Sequence, residues 1–227
     1  MKSVSRLAFL AAAGLCASSA VAQADTFTFT SCHISGSTCQ GGSIPAPGFG
    51  SVTLTQAGTS VDFTVSLING NRFVETGAGG GELFLFNDSI AGSTITTVAT
   101  SPTTPAGGLV GFTNLAPVMA DGTGTFTASV ECTVASDCNG ASAPNMTSLT
   151  FVVTNATIAQ LLTANANGNF FVADILCGAT QTQCGGLTGP VDVSVVPGPI
   201  AGAGLPGLVM ACAGLLGLAR RRRQRSA

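Results

Sequence analysis

The chain alternates apolar and polar residues over many short stretches, a pattern typical of β-strands. Nine segments pair Thr, Ser or Asp with Val, Phe, Leu or Ile in this way, beginning near positions 26, 51, 60, 81, 93, 124, 149, 170 and 191. Successive side chains of a strand point to opposite faces, so each segment presents one apolar face to a core. The pattern therefore predicts an all-β fold.

The spacing of these segments favours antiparallel pairing. Gly, Pro, Asn and Asp separate them every 8 to 15 residues, and segments 41–50, 77–81 and 102–108 are predicted loops. Parallel strands need long crossovers, usually helical, and only residues 155–164 (NATIAQLLTA) show helical spacing. We therefore expect a single antiparallel β-sandwich or jelly-roll-like ectodomain with at most one short helix.

The beginning of the chain departs from the strand pattern. Two basic residues precede an apolar run over 7–15, and the small residues Ala22 and Ala24 follow at the distance of a signal-peptidase cleavage site. The apolar run has about half the length that a bilayer requires. We predict a cleaved signal peptide over residues 1–24, and therefore export to a compartment that permits disulfides.

The end of the chain carries a second apolar segment over residues 200–219, followed directly by arginines. Its length suits one transmembrane helix, and the arginines are expected to stay on the cytoplasmic side of the membrane. The arginine cluster consists of Arg220, Arg221, Arg222, Arg223 and Arg225. A stiff stretch precedes the segment, because each proline fixes its own φ and restricts the residue before it; the stretch consists of Val196, Pro197, Gly198 and Pro199.

This order of a Val-Pro-Gly-Pro stretch, an apolar segment and terminal arginines resembles a PEP-CTERM sorting signal over residues 196–227. Gly198 stands where the namesake motif carries Glu. The resemblance implies recognition by an exosortase, a membrane-embedded cysteine transpeptidase, which removes the tail and transfers the ectodomain to the cell surface or to extracellular polysaccharide. An ordinary single-pass anchor with a basic flank is the alternative interpretation of the same residues.

Charge divides the chain in the same three places. All ten acidic residues lie between Asp25 and Asp192, where Arg72 is the one Lys or Arg. Ten acids less one arginine give the middle segment, residues 25–195, a formal charge of −9, whereas both ends are basic. Binding to phosphates needs basic residues, so we expect no nucleic-acid partner.

The middle segment contains six cysteines in three close pairs, and each pair is separated by six or seven positions. Loops of this length close readily, whereas a zinc site needs closer ligand spacing and more histidine. Export permits oxidation, so we predict three local disulfides. The predicted pairs are Cys32 with Cys39, Cys132 with Cys138, and Cys177 with Cys184.

No catalytic, metal or cofactor site is predicted. His33 is the sole histidine, and neither a triad nor a zinc site follows from one histidine. Four acids are candidate calcium ligands by residue type, but their spacing matches no calcium loop, so we expect scattered solvated carboxylates. These acids are Glu82, Asp88, Asp121 and Asp137.

The leading functional hypothesis is a non-enzymatic exported surface or extracellular-matrix protein. Signal peptidase would process it first and an exosortase-like enzyme second. It would pass through the inner membrane and then associate with exopolysaccharide or biofilm. A carbohydrate- or partner-binding adhesin is the alternative, although the chain lacks the Trp and Tyr that commonly stack on sugar rings. A secreted hydrolase with paired carboxylates is the second alternative.

Overall fold

A computed structural model of the protein describes residues 23–76 and 81–193. Within these ranges the chain is mostly β-strand, with one four-residue α-helix and two short 3-10 turns. Every pair of neighbouring strands in the described sheets is antiparallel. This confirms the predicted antiparallel, predominantly β class.

The strands are numbered in chain order. The first eight are β1 (Ala24–Thr28), β2 (Ser31–Cys32), β3 (Gly42–Ser43), β4 (Gly50–Ala57), β5 (Ser60–Leu67), β6 (Arg72–Phe73), β7 (Glu82–Phe86) and β8 (Thr94–Pro102). The others are β9 (Leu109–Phe112), β10 (Val118–Ala120), β11 (Gly124–Phe126), β12 (Ala128–Cys132), β13 (Met146–Thr154), β14 (Phe171–Leu176) and β15 (Thr188–Val193).

Two sheets and one hairpin account for all of these strands. Sheet A has the order β1-β4-β5-β13-β8, and its four longest strands have eight or nine residues. Sheet B has the order β3-β2-β15-β14-β7-β12-β9, with β6 also paired to β14. Strands β10 and β11 form a separate hairpin.

Phenylalanine rings fill the space between the two sheets. Phe63 of sheet A stacks on Phe151 of the same sheet at a ring-centroid distance of 4.5 Å. The same ring lies 5.2 Å from Phe86 and 6.1 Å from Phe171, both of sheet B. Because these side chains are at most 2% exposed, the two sheets share one core. We call the face of sheet B toward this core its inner face and the opposite face its outer face.

The hairpin β10–β11 covers part of the outer face of sheet B. Phe126 and Ala120 of the hairpin pack against Leu85 of β7 and Val172 of β14 in a second, smaller apolar cluster. Two side-chain amides hold its turn, since Asn165 and Asn169 each donate to the Thr123 carbonyl at 2.8 Å. Sheet B is therefore buried on both faces where the hairpin lies.

The alternation of apolar and polar residues located the main strands correctly. All nine predicted segments overlap strands of the structure, and the predicted short helix is present over Ile158–Leu161 with a capping box between Thr157 and Gln160. The prediction of a loop over 41–50 is wrong in part, because β3 and the first residue of β4 lie there. Residues Gly42–Ser43 pair with β2 across a short disulfide loop. A strand of two residues is too short to show an alternation of apolar and polar positions, so the sequence pattern could not predict it.

The six cysteines of the described segment form the three predicted local disulfides. The Cα atoms of Cys32 and Cys39 are 5.7 Å apart, those of Cys132 and Cys138 are 6.3 Å apart, and those of Cys177 and Cys184 are 5.8 Å apart. These separations are ordinary for disulfides. The disulfides indicate an oxidising, extracytoplasmic location.

The predicted segments at the two ends of the chain fall outside this description. Ala24 begins β1, whereas Ala22 and the whole predicted tail, residues 196–227, lie outside the described residues. Within the described ranges, no helix is long and apolar enough to cross a membrane. The predicted transmembrane segment, residues 200–219, is among the residues not described.

Removing the ring of Phe63 should weaken the packing between the two sheets. We expect Phe63→Ala to lower the free energy of unfolding by about 3–5 kcal/mol, because it leaves a cavity at a contact of both sheets. Urea unfolding of the purified protein with its disulfides formed measures this. The control is Phe112→Ala, whose ring is 39% exposed on β9, with an expected change within about 1 kcal/mol. Equal losses for both variants would contradict the central role of Phe63.

The disulfide pairing should be visible directly in the oxidised protein. Non-reducing peptide mapping should recover three cross-linked peptides, each closing a loop of six or seven positions. Each bridge should contribute roughly 2.5 kcal/mol through the entropy of the unfolded chain, so reduction should lower the urea midpoint. Free thiols at these positions, or bridges between different pairs, would refute the pairing.

Candidate functional site

A cleft opens over the outer face of sheet B, with a volume of about 520 Å³. The loop closed by the Cys32–Cys39 disulfide forms one wall, and the turn of the β10–β11 hairpin forms another. The start of β15 and Thr76 complete the lining. The side chains and backbone that face the cleft are those of His33, Ser35, Gln40, Gly41, Thr76, Asp121, Gly122, Thr188, Gly189 and Pro190.

A buried carboxylate holds the imidazole of His33 from behind. His33 Nε2 lies 2.7 Å from Oδ2 of Asp192, which is fully buried on β15. Asp192 alternates along the strand with Val191 and Val193 of the inner core, so its side chain is on the outer face. Burial raises the pKa of Asp192, and the neighbouring imidazole partly offsets this rise.

The surroundings of His33 do not form a nucleophilic relay. Ser31 Oγ lies 3.4 Å from Nε2, the same nitrogen that contacts Asp192. A relay needs the carboxylate at one ring nitrogen and the hydroxyl at the other. The geometry therefore orients the ring and does not activate the hydroxyl.

The second ring nitrogen of His33 faces the hairpin turn. A Cβ atom placed on Gly122 would lie 2.8 Å from His33 Nδ1, and Gly122 has a φ of +77° that side-chain-bearing residues rarely adopt. Glycine is thus required at this position for both conformation and space. The turn and the imidazole approach each other closely because no side chain separates them.

A second buried carboxylate lies behind another residue of the lining. Thr76 Oγ1 donates to Asp174 Oδ2 at 2.7 Å, and Asp174 is 6% exposed. Asp174 lies between Ala173 and Ile175 of the inner core, so it also points to the outer face. The lining residues His33 and Thr76 are therefore each anchored to a buried aspartate.

More carboxylates surround Asp174. On the two strands beyond β14, Glu82 of β7 is directly opposite Glu131 of β12 in the strand register. Burial raises the pKa of Asp174 to about 7; the Thr76 hydrogen bond lowers it, and the charges of Glu82, Glu75 and Asp121 add to the rise. Burial raises the pKa of Glu131 too, against its hydrogen bond from Ser129 and with repulsion from Glu82.

The expectation of scattered solvated acids is wrong for two of the four candidates. Glu82 and Asp88 are 8% and 1% exposed, because strand β7 is covered on both faces and the Asp88 carboxylate turns inward to accept the Ile90 amide at 2.8 Å. Asp121 is exposed in the hairpin turn, and Asp137 accepts the Gly107 amide at 2.8 Å. The four do not converge, and no group of three His, Cys, Asp or Glu in residues 23–76 and 81–193 is arranged to hold a metal ion.

Sequence reasoning missed the cleft and the buried aspartates behind it. Two signals were present, since Asp174 interrupts the apolar run FVADIL and Asp192 interrupts VDVSVV. A carboxylate inside such a run indicates either a solvated face or a paired, buried group. The choice depended on the hairpin that covers the outer face, and the sequence pattern did not show where that hairpin lies.

Comparisons of the chain with protein-family models, with curated proteins and with solved structures found no match.

The raised pKa of Asp174 predicts that stability falls with rising pH. Its folded pKa of about 7 exceeds its ordinary value of 3.8, so the folded state binds the proton more tightly. The stabilisation is complete below the ordinary value and is lost as pH rises through about 7. We expect urea unfolding to show a loss on the order of 4 kcal/mol at most between pH 4 and pH 8.

Asp174→Asn should flatten this pH dependence and should be more stable than the wild type at pH 8, because the amide stays neutral and still accepts from Thr76. The control is Asp62→Asn, which removes the same charge from an exposed position on β5 and should leave the slope unchanged. An unaltered slope in Asp174→Asn would show that other groups dominate.

Proposed function

We propose that the protein is a non-enzymatic surface or extracellular-matrix protein that functions by export, oxidation and covalent transfer to the cell exterior. The observation that carries this proposal is the set of three local disulfides, which requires an oxidising compartment. The sequence order of a leader over 1–24 and a tail over 196–227 supports the same route.

The described segment suits a protein that persists outside the cell. Its ectodomain, residues 25–195 in this proposal, is a single β-sandwich of jelly-roll-like type, and the core shared by sheets A and B supports this description. All three disulfides join a loop to sheet B, at Cys32 of β2, at Cys132 of β12 and at Cys177 directly after β14. Covalent closure keeps these loops folded in an extracellular space, where chaperones are too dilute to assist folding.

The tail supplies the sorting step of the proposal. The apolar segment 200–219 holds the precursor in the inner membrane, and the arginines after it fix the orientation because they are costly to move across a bilayer. An exosortase-like transpeptidase then breaks a peptide bond near the stretch 196–199 and holds the ectodomain as a thioester on its cysteine, while the tail leaves with a free amine. The acyl group passes to an amine or hydroxyl at the cell surface, where exopolysaccharide or biofilm retains the ectodomain. Hydrolysis of the thioester instead releases the ectodomain with a free C-terminus. A permanent anchor would use the same residues without cleavage.

A second candidate function is a carbohydrate- or partner-binding adhesin. The cleft beside His33 favours it, since its volume of about 520 Å³ falls in the range of small-ligand sites and its lining carries hydroxyl, amide and carboxylate side chains. This function is compatible with sorting to the surface, because the tail delivers the domain and the cleft would act after delivery.

Processing of the tail tests the leading proposal. Mass spectrometry of surface-released protein should find a C-terminus near Pro199, without the arginines of 220–225. Replacing both Pro197 and Pro199 with Ala should leave full-length precursor in the inner membrane, because the stiff extended stretch is lost.

The matched control replaces Pro102 and Pro105 with Ala. These two prolines lie in the described domain and not in the tail. That variant should be processed normally whenever it folds. If mature wild-type protein keeps its full tail in cells that contain an exosortase, the sorting proposal fails and a permanent single-pass anchor replaces it.

A further inference from the structure

The cleft beside His33 has a lining that selects for hydrogen-bonding ligands. Ser35, Thr76 and Thr188 contribute hydroxyl-bearing side chains, and Gln40 contributes an amide. Glycines at three further positions leave backbone groups accessible. Among the described residues of the lining, apolar surface comes from short groups such as Pro190 and the threonine methyls, and no Leu, Ile, Val, Met or Phe is present. A polyhydroxylated ring suits this mixture, because its hydroxyls can form hydrogen bonds while its apolar faces contact these short groups.

The charged residues around the cleft determine which sign of charge a ligand can carry. Asp121 is exposed at the rim, and Asp192 and Asp174 lie directly behind His33 and Thr76. Burial raises the pKa of Asp174 to about 7, so this residue adds little negative charge below that pH, and the exposed Asp121 is the carboxylate that a ligand meets directly. Among the described residues, the lining contains neither Lys nor Arg, so a phosphate, sulfate or uronate ligand would be repelled and an ammonium group attracted.

Because Gly122 lies close to His33, the hairpin turn and the imidazole hold fixed positions in the lining of the cleft. The hairpin turn is fixed by the amides of Asn165 and Asn169, and the imidazole is fixed by Asp192. The opposite wall is closed by the Cys32–Cys39 disulfide. Rigid walls reduce the conformational entropy that the protein loses when a ligand binds, which favours recognition of a small polar molecule.

We propose that this cleft binds an amino sugar with a free ammonium group, as a monosaccharide unit or as part of a de-N-acetylated polysaccharide. The ammonium group lies near Asp121, and the ring hydroxyls bind to the hydroxyl, amide and backbone groups of the lining. The polysaccharide as the source of the sugar rests on the proposed function, since it assumes that the domain reaches an extracellular matrix. The cleft itself does not depend on the tail.

Binding can be followed at the only histidine of the chain. The full chain, exported to a bacterial periplasm without a histidine tag and purified in mild detergent, is titrated with a trimer of β-linked glucosamine. The imidazole proton NMR signals of His33 should shift on titration, and calorimetry should give the dissociation constant. The N-acetylated trimer should bind at least about tenfold more weakly, because a charge-assisted hydrogen bond is lost.

Asp121→Asn should weaken binding of the glucosamine trimer by about tenfold. The control is Asp62→Asn, which removes an equal charge from an exposed position on β5 and should leave the binding unchanged. Circular dichroism checks that both variants are folded. Equal affinity for the N-acetylated trimer would overturn the ammonium assignment, and equal affinity for tri-lysine would replace the sugar with a basic peptide.

No shift of the His33 signals with either trimer would overturn the site. That outcome is independent of tail processing, because the C-terminus of surface-released protein is measured separately. The inference on the ligand and the proposed route of sorting therefore fail or survive apart from each other.

Discussion

The contact of Phe63 with rings from both sheets is the interaction on which the rest of the structure depends. Its neighbours Phe151 and Phe86 belong to different sheets, so one side chain links the two layers. The faces that point away from this core on sheet A are rich in Thr and Ser, and they offer little apolar area to hold a second layer. Burial of the rings therefore fixes how sheet B is placed, and with it the outer face on which the cleft lies.

Covering that outer face creates the unusual electrostatics of the cleft. A carboxylate on an exposed sheet face would stay solvated and ionise normally. Asp192 is buried and pairs with His33 of the loop closed by Cys32–Cys39, and Asp174 is buried and accepts from Thr76. The same covering that raises their pKa values also forms the walls of the cleft. The acidity and the shape of the site thus have one structural cause.

The sequence predicted the parts of the fold that local physics determines. Alternation revealed every strand of sheet A, because strands of eight or nine residues such as β5 and β13 show the pattern several times over. Strands β2, β3 and β6 have two residues each and exist only through their partners, so no local pattern marks them. The cysteine pairs were predictable because their loops are short. The cleft was not, because it joins residues as far apart as His33 and Pro190, and such contacts depend on the packing of the hairpin.

The distribution of the disulfides follows from the same difference between the sheets. Sheet A is held by long ladders, in which β5 pairs over its whole length with β4. Sheet B is assembled from strands of two to six residues, and short ladders with long connections leave more of the chain free to open. All three disulfides attach to sheet B. The covalent bonds therefore provide stability that the short hydrogen-bonded ladders of this sheet do not supply. The wall beside His33 is one of these closed loops, so the persistence of the cleft depends on oxidation of the chain.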